Sequence, residues 1–183
     1  MQKMNLRWIF IGAILLLVTI GGSFYYITKR RLSSVDKSKL VQMLNQAVAD
    51  EWFSHYQYFL ASKVVKGSMQ RDASDLFAKF SLEEFENSSK LADKVILFAG
   101  VLPMEPKIWY EIAKSGFSVP SDSSVNRLVE QNIESEKSMI DFYQQVVSFL
   151  NNRDVELDKV LRSIIEFKTS HLAQLQSFLE QLK

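Results

Sequence analysis

The stretch DEWFSHYQYFLAS, Asp50–Ser62, decides the fold. It reads as helix, and at helical spacing Glu51, His55 and Tyr58 share one face with Leu40, Leu44 and Ala47 upstream. An apolar stripe thus carries a carboxylate at its middle. An unpaired buried charge costs several kcal/mol, so a face of this kind must meet a compensating group from another element.

Three further stretches show the same pattern. Helical periodicity runs over Asp36–Lys66 to a stop at Gly67, over Arg71–Ala99 to Gly100, over Ser123–Leu150, and over Val155–Leu182. The second stripe is Phe77, Phe80, Glu84, Asn87, Leu91 and Phe98. The third is Val129, Asn132, Glu136, Met139, Tyr143 and Val146, and the fourth is Leu157, Leu161, Ile164, Lys168, His171 and Leu175. Each helix therefore places an ionisable side chain near its middle on the inward side. The tight link Asn151–Asp154 and the long stretch 101–122, with Pro103, Pro106, Gly116 and Pro120, suit two antiparallel hairpins joined by a crossover. The expected fold is all-α: a four-helix bundle with a long crossover between its second and third helices.

Composition removes several function classes. The 183 residues are 47% hydrophobic, and 22 basic against 21 acidic side chains leave no basic excess for a nucleic-acid partner. With no cysteine there are no disulfides, thiolate metal sites or thiol nucleophiles. Six glycines and three prolines speak against β-sandwiches and Gly-rich phosphate loops.

Ahead of the bundle, WIFIGAILLLVTIGGSFYYIT (Trp8–Thr28) holds no charge and is long enough to cross a hydrocarbon core of about 30 Å. Trp8 and Tyr25–Tyr26 stand at its ends, where interfacial aromatics belong. A cleaved signal peptide is the other reading, with Lys3 and Arg7 before the run and Gly21-Gly22-Ser23 as a cleavage site. The apolar run continues past that site to Lys29-Arg30-Arg31, which favours a retained single-pass anchor in the lipid bilayer over residues 8–28. Residues 1–31 are then the anchor and 32–183 the bundle domain. The basic residues after the span outnumber Lys3 and Arg7 before it, which places the domain on the cytoplasmic side.

With DEWFSHYQYFLAS, EEFENSSKLADKVILFAGVLP (Glu83–Pro103) and SHLAQLQSFLEQL (Ser170–Leu182) in view, residues 36–183 resemble the ferritin-like superfamily, nearest in pattern to its bacterioferritin and rubrerythrin branch. That resemblance implies two irons among four helices, held by a Glu on each of two helices and a Glu-x-x-His on each of the others. Glu51 and Glu136 match the lone glutamates, and Glu84 matches the first Glu-x-x-His, whose histidine position is Asn87. The second has become Lys168-Thr-Ser-His171. Candidate metal ligands are thus Glu51, Glu84, Glu136 and His171, with Asn87 and Lys168 as altered positions. His55 is a possible auxiliary ligand or an internal partner of Glu51 four residues away. Phe85 stands where bacterioferritins place a haem-ligating Met, so the resemblance implies no haem here.

Lys168 stands where the family has a bridging carboxylate, and its ammonium can compensate the glutamates that two irons otherwise hold. The expected function is a membrane-anchored, non-catalytic binding or assembly subunit with no cofactor. The alternative is a membrane-tethered iron-dependent oxidase or ferroxidase using one or two irons at the remaining ligands. A second apolar row on the first helix, Ala49, Phe53, Tyr56, Leu60 and Val64, is expected to form a homodimer or heteromeric interface. Otherwise the crossover, with Ile108, Trp109 and Phe117, folds over it. Ferritins that store mineral resemble hollow shells with their N-termini outside. A membrane helix on every N-terminus is hard to fit to such a shell, so storage is not expected.

Overall fold

The computed structural model describes residues 32–183. The apolar run over residues 8–28, its anchor role and the domain division at residue 31 lie outside them. No helix among the described residues is long and apolar enough to cross a membrane.

Among the described residues there are five helices and no strands: α1 (Ser34–Val64), α2 (Gln70–Leu97), α3 (Pro106–Ile112), α4 (Val125–Leu150) and α5 (Val155–Gln181). Helix α1 packs against α2 and α4 against α5, as two antiparallel hairpins. The helix starts follow local chemistry. Ser124 caps α4 by accepting the Arg127 N–H, and Asp154 caps α5 by accepting the Leu157 N–H at 2.8 Å. Between α4 and α5 the chain reverses through Asn151 and Asn152, both left-handed at φ 48° and 56°, a conformation asparagine tolerates better than most residues. At the other end of the bundle, the Lys66 N–H donates to Ser123 O at 2.8 Å and Lys66 O accepts the Val125 N–H at 3.1 Å, which ties the two hairpins together.

The four stripes meet in a core of Leu40, Leu44, Tyr58, Phe77, Phe80, Leu91, Val129, Met139, Tyr143, Leu161 and Leu175, none more than 1% exposed. Phe98 departs from its expected place. It caps α2 half-buried, and Val95 takes the core position one turn earlier.

The crossover contains a helix that periodicity did not reveal, α3, with Pro106 at its first position, where the missing N–H costs nothing. Asp50, on α1 and 1% exposed, fastens the segment after α3. Its carboxylate accepts the backbone N–H groups of Lys114 at 2.9 Å, Ser115 at 2.7 Å and Gly116 at 3.2 Å. Trp109 stacks on Trp52 at 5.4 Å, and Phe53 lies under Trp109, Tyr110 and Phe117. Within the expected interface row, Phe53 is thus covered by the crossover, the other course the sequence allows, and Ala49 is buried. Tyr56 and Val64 stay exposed and Leu60 half-exposed.

Candidate metal centre

The four long helices bring Glu51 (α1), Glu84 (α2), Glu136 (α4), and Lys168 and His171 (α5) together at mid-bundle, none more than 1% exposed. Lys168 Nζ lies 2.7 Å from Glu84 Oε2, 3.2 Å from Glu51 Oε1 and 3.8 Å from Glu136 Oε2. Its ammonium thus stands among all three carboxylates. The His171 Nδ1 lies 3.2 Å from both Glu84 Oε1 and Glu136 Oε1. Its Nε2 is 2.7 Å from Glu83 Oε2, on a side chain about a quarter exposed at the edge of the bundle.

Two tyrosines complete the inner shell. Tyr143 donates to Glu51 Oε1 at 2.5 Å and Tyr58 donates to Glu136 Oε1 at 2.6 Å. Burial, then the neighbouring carboxylates, push both phenols well above their usual range, so they remain donors. Phe80 stacks on the His171 ring at 3.8 Å between centroids and holds its orientation. A polar layer sits beside the cluster, where Gln57 donates to Asn132 Oδ1 at 3.0 Å and Asn132 donates to Leu128 O at 2.8 Å.

The charges balance internally. Burial alone would push Glu84 up, but the Lys168 ammonium, Glu51 and His171 outweigh it and hold its carboxyl far below the usual range. Burial would likewise strip the proton from Lys168, and the three glutamates more than offset it and raise its pKa. Burial and the Glu84 charge push Glu51 well up, against the pull of Lys168. On His171, burial is outweighed by Glu136 and Glu84, which push the imidazole up to about 9. Two buried basic side chains, Lys168 and His171, thus sit among the three buried glutamates, and Glu83 lies at the rim.

Glu84, Glu136 and His171 each offer a ligand atom within 4.8 Å of one another, so these three can converge on one metal ion. Two expected residues stay outside the cluster. His55 Nδ1 bonds Ser81 O at 2.8 Å and Ser81 Oγ at 3.0 Å, not Glu51, because its ring leans toward α2. Asn87 is buried, but its Oδ1 accepts from Lys90 at 3.3 Å and its Nδ2 has no hydrogen-bond partner. Glu83 was missed on the sequence, and its signal was only its place beside Glu84 on the helix edge. Phe85, 45% exposed, packs edge-on to Trp52.

A ferritin-like domain family model matches residues 41–183. No curated protein matches the chain. Among solved structures, the chain is similar to a dodecameric thioferritin, the bacterioferritin-related protein from Bacteroides fragilis, at 28% identity and TM-score 0.80, over 88% of this chain and 94% of that one. It also shares its fold with Dps from Thermosynechococcus elongatus, at 18% identity, TM-score 0.76, and 80% and 93% coverage. A ferritin-like diiron-carboxylate protein from Bacillus anthracis shares the fold at 22% identity and TM-score 0.68, with 81% of this chain and 99% of that one covered.

Proposed function

The chain belongs to the ferritin-like family, and from that premise we propose that it is a membrane-anchored member whose two-iron site has been replaced by an internal salt-bridge cluster. In this reading the domain binds or assembles with other proteins instead of oxidising iron. The observation that carries it is Lys168 Nζ at 2.7, 3.2 and 3.8 Å from Glu84, Glu51 and Glu136. Two irons would need that space and would meet a fixed positive charge in it. The donor set fits two irons poorly for a second reason. Both nitrogens of His171 face carboxylates, and an imidazolium has no lone pair for a metal. Asn87 offers an amide in place of an imidazole.

The uncharged run over residues 8–28 supports the anchor, with the domain on its cytoplasmic side. The dodecameric state of the Bacteroides fragilis thioferritin supports self-association, and the open aromatic face of Tyr56 and Phe59 gives it a surface. The anchor argues against a closed storage shell.

A second reading is favoured by one observation, the convergence of Glu84, Glu136 and His171. With His171 deprotonated these residues would hold a single iron, which would supply redox chemistry with oxygen for a membrane-tethered oxidase or ferroxidase. The deciding experiment uses the full chain in detergent, prepared without chelators and loaded anaerobically with Fe(II). Metal per chain is read by plasma mass spectrometry and oxygen uptake with an electrode. A folded protein with no tightly held metal supports the salt-bridge reading. About one iron with oxygen uptake supports the second reading, and about two irons overturns the replacement of the family site.

A further inference from the structure

Four of the apolar side chains that the fold leaves uncovered lie toward the end of the bundle where α1 begins, while others such as Leu82 and Val119 are open elsewhere. Ile96 and Leu97 close α2 with 59% and 70% of their surface open, and Val101 just beyond is 77% open. They lie beside the early turns of α1. Gly100 packs so closely there that a Cβ would come within 2.6 Å of Val41, and Asn45 Nδ2 donates to Val101 O at 2.8 Å. A groove of about 450 Å³ runs between the two segments, walled by the apolar Val41, Leu102 and Ile108 and the polar Ser38, Gln42 and Gln46. Val155, 56% exposed, opens α5 at the same end, two residues from Arg153, which pairs with Asp36 of α1 at 2.8 Å.

The uncharged run ends at Thr28, and only residues 29–33 separate it from Ser34. Even a fully extended chain of that length reaches about 20 Å. Val41 stands about 10 Å along α1 from its start. The apolar patch is therefore within reach of any bilayer that holds residues 8–28. Building on the anchor reading above, we infer that this end of the domain rests on the membrane surface, with Ile96, Leu97, Val101 and Val155 seated at the boundary between headgroups and acyl chains. Apolar side chains seated at that depth are how interfacial segments bind lipid. The exposed Lys37 and the half-buried Lys94 border the patch, but so do Asp93 and Glu156. Adhesion therefore comes from apolar contact and not from net charge. The bilayer is thus a contact surface of the folded domain as well as its tether, and it fixes which face of the bundle is turned to other proteins.

Because the natural chain has no cysteine, a single introduced thiol can be labelled cleanly. The full chain carrying Leu97→Cys or Val101→Cys is labelled with an environment-sensitive fluorophore. It is then reconstituted into phosphatidylcholine–phosphatidylglycerol vesicles, with and without a doxyl-labelled phosphatidylcholine. Ser68→Cys, exposed in the turn at the opposite end, is the reference. We expect the doxyl lipid to quench the Leu97 and Val101 probes about threefold more than the Ser68 probe, with emission shifted to the blue. Equal quenching at both ends overturns the inference. So does a blue shift without quenching, because that means the patch is covered by protein. Flotation of the same vesicles separates the two readings. A chain that floats but shows no differential quenching defeats only the surface contact, whereas a chain that does not float defeats the anchor as well.

Discussion

Lys168 Nζ lies 2.7 Å from Glu84 Oε2, with neither side chain exposed to solvent. A pair of this kind is asymmetric in energy. Breaking it by removing one partner strands a buried charge and costs about 3–5 kcal/mol, whereas replacing both partners with apolar groups can be nearly neutral. Lys168→Met is therefore expected to lower the unfolding free energy by about that amount in urea titrations. Lys168→Met combined with Glu84→Met and Glu51→Gln is expected to recover most of the loss. A single variant as stable as the parent would mean that the ammonium does not hold the carboxylates together.

His171 gives the cluster a pH dependence whose sign follows from its partners. Burial lowers its pKa, but hydrogen bonds and charge from Glu136 and Glu84 outweigh that and push it from 6.5 up to about 9. The folded protein thus holds a proton that the unfolded chain releases. Stability from this group is fully present below about pH 6.5 and is lost as pH rises through about 9, a span worth about 3 kcal/mol. Burial and the Glu84 charge raise Glu51 as well, so its contribution also falls with pH, starting from the ordinary carboxylate range. Unfolding free energies measured from about pH 6 to about pH 10 are expected to fall, and to fall less in His171→Gln. Equal slopes in the two proteins would remove His171 from this role.

Asp50 is expected to govern the order of the crossover. Its carboxylate is the shared acceptor for three consecutive N–H groups, those of residues 114–116. Asp50→Ala leaves these donors without it and is expected to cost about 2–4 kcal/mol. Faster hydrogen exchange should appear first at residues 114–116. Asp50→Asn keeps one acceptor oxygen and should fall between the two. Unchanged exchange at those amides in Asp50→Ala would show that the crossover is held by its aromatic contacts alone.

Residues that repeat along a helix were legible in the sequence, and residues placed by one long-range contact were not. Glu51, Glu84, Glu136, Lys168 and His171 each lie on an apolar stripe, so periodicity alone places them at the bundle centre. His55 lies on the same nominal stripe as Glu51, but the step of four positions carries it about 40° around the helix, enough to reach Ser81 instead. Asp50 meets the crossover 64–66 residues away, and no local pattern marks that bond. The covering of Phe53 by Trp109, Tyr110 and Phe117 is of the same kind. An apolar row reports that something covers it, not whether the cover is the same chain or another.

Restoring the altered positions should restore metal. Lys168→Glu replaces the internal cation with a carboxylate that reaches toward Glu51, Glu84 and Glu136. Asn87→His replaces a buried amide whose Nδ2 has no hydrogen-bond partner. The double variant removes one positive charge and adds one negative, so without metal it is expected to be markedly less stable than the parent. With Fe(II) or Zn(II) it is expected to recover stability and carry about two ions per chain by plasma mass spectrometry. A variant that folds but binds no more metal than the parent would mean that Lys168 is not the substitute for a bridging ligand.

Phe53 and Phe59 separate the crossover from the outer interface. Phe53 is 6% exposed and lies 4.7 Å from the Tyr110 ring, so Phe53→Glu would bury a charge and unfold the crossover whatever the assembly state. Phe59 is 44% exposed beside Tyr56, on the part of α1 that the crossover leaves open. Phe59→Glu therefore changes little inside the domain and places a charge on the open face. The expected result is a smaller mass by light scattering for the detergent-solubilised full chain, with a melting temperature within a few degrees of the parent. Tyr56→Glu should lower the mass too, but at some cost in stability, because the Tyr56 ring also lies 5.6 Å from Phe117 of the crossover. If both variants keep the parent's mass, the aromatic face of α1 is not where copies meet. If the parent's mass exceeds one chain, association then runs through another surface, with the exposed Leu82 and Phe85 of α2 the next positions to change.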